Sequence, residues 1–277
     1  MEFWRGYPII DDTTNPDVFM LDAEGKPAAR GLVPRDYSVD PPEMFAAPDA
    51  IKVYSESEWD AIFDEQEALK SSLEHLYLQG ADNPLFENLD QNGNGYCWAY
   101  STGHAIMMSR MRHMMPPSRL NPHATAAIIK RGRDEGGWCG LSAKWAREHG
   151  YAEEGTGPGQ WPLHSRNLSH DTPALRAAMA RNRTTEEWTD LTRDVYDVQM
   201  STQQYATALF SCQPCPSDYN WWRHSVCAIR WIRIERGSWG SLILNSWKGW
   251  GRHGLGVLRG SKARPDSCLS ICLTTAA

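Results

Sequence analysis

The chain has 277 residues, 41% of them hydrophobic and 22% charged, and a formal net charge of -6. This is the composition of a globular protein with one large or two small domains, and its acidic balance excludes the basic footprint of a nucleic-acid binder. No apolar run approaches the roughly 20 residues of a membrane span, and the opening MEFWRGYPIIDD lacks the basic and apolar regions of a secretory signal.

In chain order, residues 1 to about 55 are rich in proline, aspartate and turn formers, as in DDTTNPD and VDPPEMFAAPDA, and read as an extended arm. From Glu56 to about Leu78 the positions of Trp59, Ile62, Phe63, Leu73 and Leu76 approximate a 3.6-residue stripe, which predicts one amphipathic helix. QGADNP breaks that pattern. Further helices are expected from Cys97 to about His113, near His123 to Arg131, from Leu141 to His149 with Gly150 as its stop, and over STQQYATALFS with Ser201 as its N-cap. The period then changes. HSVCAIRWIRIE, SLILNSW and LGVLRG read as strands separated by RGSWG and KGWGRHG. Helices in the middle and strands toward the end indicate an α+β fold.

Seven cysteines with no export signal point to reduced thiols. Cys212 and Cys215 have CxxC spacing, and Cys268 with Cys272 would complete a zinc set. Pro216 and the absence of a redox-type helix favour a small apolar strand instead. No cofactor is implied. Cys97 stands apart. In DQNGNGYCWAYS it follows Gly93 and Gly95 and opens a helix. It is either a buried core thiol or a nucleophile at a helix N-terminus, where partial positive charge favours the thiolate. Two distant pieces favour the nucleophile: His224 in NWWRHSV at the head of a strand, and Asn245 in LNSWKGWG at the end of the next. A thiol needs a base, and the base needs an orienting group. The Gln91 amide with the Cys97 backbone N–H could form an oxyanion hole.

With Gln91, Cys97, His224 and Asn245 in that order, the sequence resembles the papain-like cysteine peptidases over roughly residues 85 to 260. In that family a glutamine lies six residues before the nucleophile, a tryptophan follows it, and the histidine lies about 130 residues on; here these are Gln91, Trp98 and His224. The NSW motif of Asn245, Ser246 and Trp247 puts a tryptophan over the His–Asn contact. Gly136, Gly137 and Trp138 resemble the family's substrate-binding loop, whose glycine backbone pairs with an extended peptide. Trp222 stands two before the histidine, a position that helps line the S2 pocket, so that pocket is expected to be small or blocked. The family's usual disulfide is replaced by Asn94 and Asp134, which fits a reducing compartment.

The resemblance implies a papain-like two-lobed fold with a helical lobe at about 85–165, a β-barrel-like lobe at about 166–270 and an N-terminal extension at 1–80, ahead of a catalytic domain at 81–277. It implies peptide-bond hydrolysis of a peptide or protein substrate. Two alternatives stand beside it. One is a structural or assembly component, for example of a bacteriophage particle, docking through the arm; the other is a cell-wall amidase or transpeptidase. The expected location is cytoplasmic or virion-associated, with neither nucleic acid nor membrane as partner. In the family an N-terminal prosegment blocks the cleft, but its motifs are not recognisable here. The helix is therefore expected to pack on the catalytic domain, and Met1 to about Ala50 to lie outside the cleft as a docking arm.

Overall fold

The computed structural model of the chain describes residues 2–15, 30–41, 44–47, 53–79, 88–115, 118–181, 183, 186–192, 201–247 and 249–273. It opens with a hairpin, β1 (Phe3–Trp4) and β2 (Tyr7–Ile10), and β2 runs parallel to β9 (Leu255–Arg259) with Ile9 opposite Val257. Residues 3–10 are therefore part of the main sheet, not of an arm. Their apolar side chains Trp4, Tyr7, Ile9 and Ile10 are buried.

The stripe at 56–78 forms two helices, α1 (Glu56–Leu69) and α2 (Leu73–Leu78), instead of one. Glu58 accepts the Ser55 backbone N–H at 2.8 Å to start α1. Lys70, at φ 52°, turns the chain left-handed, and Ser72 starts α2 by accepting the His75 N–H. The two capping signals sit inside an unbroken apolar stripe, which periodicity alone does not resolve. Trp59 packs edge-on against Trp231 and Trp239 at 5.7 and 5.5 Å, and Phe63 against Trp239 at 6.0 Å. Burial of each such ring stabilises by about 1.5–3 kcal/mol, which holds α1 on the sheet.

α3 (Cys97–Arg112) is the central helix, buried on every side from Cys97 to Arg110. α4 (Pro122–Ile129), capped by Asn121, and α5 (Cys139–His149), ended by Gly150, pack beside it. A two-stranded ribbon of β3 (Glu153–Glu154) and β4 (Gln160–Trp161) follows, then α6 (Pro173–Arg181). Ala124, Ala127, Ala152, Trp161, Leu175 and Met179 make a second small core there. α6 thus belongs with the helical part, although it lies within the 166–270 segment expected to be β-rich.

The remaining elements are β5 (Glu186–Asp190), α7 (Thr202–Phe210), β6 (Cys215–Tyr219), β7 (His224–Glu235), β8 (Ser238–Leu244), β9 and β10 (Ser267–Leu273). They complete an eight-stranded sheet in the order β1-β2-β9-β8-β7-β6-β10-β5. β7 is buried along its first nine residues because α3 covers one face and α1 and α7 the other. Its length and bounds match the predicted run HSVCAIRWIRIE, which is rich in β-branched and aromatic residues although it includes the buried Arg230. β6 contains the second cysteine of the CxxC pair; Cys215 and Cys268 are buried.

One buried cation ties α1 and α2 to β7. Arg230 is fully buried and donates to Glu67 at 2.7 Å and Glu74 at 2.6 Å. Glu67, Glu74 and His75 are the one described group of potential metal ligands within 4.8 Å of each other. Their two carboxylates are turned to Arg230, and Cys212, Cys215, Cys268 and Cys272 form no such group among the described residues. Replacing Arg230 by Met is expected to cost about 3–5 kcal/mol, because it strands buried carboxylates; urea unfolding measures it.

Candidate active site

Cys97 is the first residue of α3, with Tyr96 as N-cap, so its own N–H is one of those the helix leaves unpaired. The sulfur is fully buried, with the backbones of Gly31, Ser225 and Trp98 near it. Burial pushes the thiol up to about 12, and hydrogen bonding to those backbones offsets only part of that. Because Ser225 follows His224, the thiol lies against the start of β7. Ser101 and Ser225 share a hydroxyl hydrogen bond of 2.7 Å, which fixes α3 to that strand.

His224 opens β7, and Asn245 follows the end of β8. Their side chains meet: His224 Nε2 lies 2.8 Å from Asn245 Oδ1, the geometry of an N–H donating to a side-chain carbonyl. Trp247 stacks on the imidazole at 4.2 Å and 30°, and Trp222 meets the imidazole edge-on at 5.0 Å. Burial lowers the imidazole to about 3, so it is neutral in this closed arrangement, and its Nδ1 has no partner. Trp222 is fully buried in an aromatic stack with Trp221, Trp247 and Trp250. It packs against the imidazole from within the core.

Gln91 is tied to the same segment by a residue the sequence reading gave no role. The Ser246 hydroxyl donates to Gln91 Oε1 at 2.7 Å, and the Gln91 backbone N–H donates to the Ser246 carbonyl at 2.9 Å. The available signal was position alone, since Ser246 lies between Asn245 and Trp247. Gln91 Nε2 donates to the Asn94 carbonyl at 2.6 Å. Asp134, in place of a half-cystine, accepts the Gly95 N–H at 2.7 Å, so a hydrogen bond holds together the two loops that a disulfide joins in the resembled family.

The largest departure from expectation lies in the cleft. The segment at 30–33 runs through it, so the arm is not confined to the outside. Leu32 bridges Gly137 in parallel fashion: Gly137 donates to the Gly31 carbonyl at 2.8 Å, and Val33 donates to the Gly137 carbonyl at 3.0 Å. On the other wall, Leu32 donates to the Arg223 carbonyl at 3.3 Å. The approach requires glycine. A Cβ on Gly31 would come within 1.8 Å of the Gly95 carbonyl oxygen, and one on Gly136 within 2.4 Å of the Gly31 oxygen. Trp138 is covered by the continuing chain: its indole N–H donates to Asp40 at 2.9 Å and its ring meets Phe45. The pairing at 30–33 was invisible because it is one isolated bridge, Leu32 to Gly137, too short to leave an alternating side-chain pattern.

No protein-family model matches the sequence, and no curated protein matches it. Solved structures do. The chain is similar to the digestive procathepsin L2 proteinase from Tenebrio molitor larval midgut at 15% identity and a TM-score of 0.55, over 95% of this chain and 81% of that one. It is similar to proCathepsin B S9 from Trypanosoma congolense at 15% identity and a TM-score of 0.53, over 90% of this chain and 87% of that one. Digestive procathepsin L 3 of Tenebrio molitor larval midgut gives 14% identity and a TM-score of 0.53, over 71% and 68% of the two chains. The fold of this chain is that of the papain-like cysteine peptidases.

Proposed function

We propose that the chain is a cysteine-type peptidase held latent by its own N-terminal segment. The observation that carries this reading is the buried His224–Asn245 hydrogen bond of 2.8 Å under the Trp247 ring, beside a cysteine at a helix head. The solved structures it resembles include procathepsins, which supports the latent part of the reading.

The chemistry follows from the groups present. In the closed chain the covering segment places the Gly31 backbone beside the sulfur, and it fills the cleft that a substrate would enter. When it withdraws, water and substrate reach the site and the proton moves from Cys97 to His224, because desolvation no longer penalises the charged pair. The Cys97 sulfur attacks the scissile carbonyl carbon, and the oxyanion accepts from the Cys97 N–H and the Gln91 amide. His224 delivers its proton to the leaving amine, leaving a thioester. It then takes a proton from water, whose oxygen attacks that thioester and returns the thiol. Asn245 keeps the imidazole oriented throughout.

Labelling with an epoxide-type thiol inhibitor and mass mapping tests this. Opened chain should be modified at Cys97 ahead of the other six cysteines; modification spread evenly over them would sink the nucleophile assignment. Asn245→Ala should slow labelling and peptide hydrolysis by roughly 10- to 100-fold, the worth of one charge-assisted hydrogen bond, with an unchanged melting transition. Loss of the fold with unchanged specific activity in the surviving protein would make Asn245 structural only.

One observation favours a second reading, a permanently closed assembly component. The segment is anchored on both sides, by β2 in the sheet and by Ala46, which bonds to Trp188 and Asp190 on the β5 edge. Under that reading Cys97 stays unlabelled even after the chain is nicked between the two anchors.

A further inference from the structure

Beyond Gly31–Val33 the covering segment places one side chain in a built pocket. The Arg35 guanidinium is 1% exposed, and it donates from Nη1 to Asp190 Oδ2 at 2.6 Å. Its central carbon lies over the Trp138 ring, 4.3 Å from the centroid. Trp138 directly follows Gly137, the residue that pairs with the segment's backbone, so the pocket belongs to the same wall of the cleft. Asp190 is already aimed: its Oδ1 accepts the Thr192 N–H at 2.9 Å, which leaves Oδ2 for the guanidinium. A second buried acid, Asp218, sits behind the same wall, its carboxyl pushed up by burial. Its Oδ2 accepts from Ser267 at 2.8 Å and from the Cys139 N–H at 3.2 Å, and its Oδ1 has no partner. The other contacts to Arg35 come from the segment itself, through the Asp40 carbonyl at 2.8 Å and the Tyr37 ring at 4.6 Å. They leave with it, whereas Trp138 and Asp190 remain.

A flat aromatic face and a fixed carboxylate are what a planar, permanently charged guanidinium binds best; an ammonium gains less from the face, and an apolar side chain would leave the carboxylate buried and unpaired. We infer that Trp138 and Asp190 form a side-chain subsite of the cleft that selects arginine in an incoming peptide, with Arg35 as its tethered occupant in the closed chain. This rests on the peptidase reading above and names its substrate class: peptides carrying arginine close to the scissile bond on the Gly137 side.

The full chain tests it once opened at Gly31→Leu and emptied at Arg35→Met, with Arg35→Gln as the replacement if that protein does not fold. Peptidyl vinyl sulfones carry arginine, citrulline or leucine in turn at the second, third and fourth positions from the electrophile, and the rate of Cys97 modification is read by mass. At one position the arginine probe should react about 10- to 100-fold faster than its citrulline twin, the worth of a hydrogen bond to a charged group, and adding Asp190→Asn should level the two. Equal rates for arginine and citrulline at all three positions would overturn the subsite. So would a preference that survives Asp190→Asn. Failure of every peptidyl probe also overturns it, and iodoacetamide then tells the two ideas apart. Cys97 alkylated ahead of the other cysteines keeps the nucleophile while losing the subsite; Cys97 inert loses both.

Discussion

Gly31→Leu is expected to raise the rate of Cys97 alkylation at pH 7 by at least about 100-fold, without loss of the fold. The closed thiol, pushed up to about 12 by burial, is ionised to only about one part in 100,000 at pH 7. A side chain at position 31 cannot be accommodated, because its first carbon would meet the Gly95 carbonyl oxygen at 1.8 Å with backbone on both sides. The segment must leave, and its departure hydrates Cys97 and His224 together. The remaining anchors, β2 on β9 and α1 on the sheet, do not touch position 31, so folding persists. A variant that stays as inert as the parent, with a normal melting curve, would show that the segment does not control the thiol.

The second large effect is on the pH profile. In the closed chain both partners are neutral at pH 7, since burial raises Cys97 to about 12 and lowers His224 to about 3. Below the pKa of a thiol its thiolate fraction grows tenfold per pH unit. Alkylation of the parent chain should therefore climb about 1,000-fold between pH 7 and pH 10. In the Gly31→Leu chain the imidazolium stabilises the thiolate, so ionisation is complete near neutrality and the same interval should be almost flat. A flat profile in the parent would mean that the ion pair already exists behind the segment. Iodoacetamide kinetics followed by mass spectrometry at four or five pH values measures both curves.

What the sequence disclosed of this site followed the physics of each part. Cys97, His224 and Asn245 occupy the ends of regular elements, where spacing and the change of period from helix to strand are readable. β7 was legible to its bounds because Val226, Ile229, Trp231, Ile232 and Ile234 make a β-branched and aromatic run that ends at the turn RGSWG. β2 and β5 were not: β2 is four residues long, and β5 is a short edge strand containing Glu186, Glu187 and Asp190. Ser246 was passed over because its work is a hydrogen bond to a residue 155 positions away. The course of residues 30–33 through the cleft rests on the backbone of Gly31, Leu32 and Val33, which composition reports only as a turn-rich stretch. Arg35 likewise read as one more surface charge, since nothing local reveals that Asp190, 155 residues on, is waiting for it.

The measurement that bears most directly on the central claim is a digestion. Unfolded casein is incubated with four chains: the parent, Gly31→Leu, Gly31→Leu with Cys97→Ser, and Gly31→Leu with His224→Ala. New α-amino groups are counted against time. A latent peptidase predicts little release by the parent, sustained release by Gly31→Leu, and none above background when Cys97 or His224 is also replaced. Casein left intact by a Gly31→Leu chain that is folded and whose Cys97 is readily alkylated would contradict it, leaving an exposed reactive thiol in a papain-like fold that does not cut peptides.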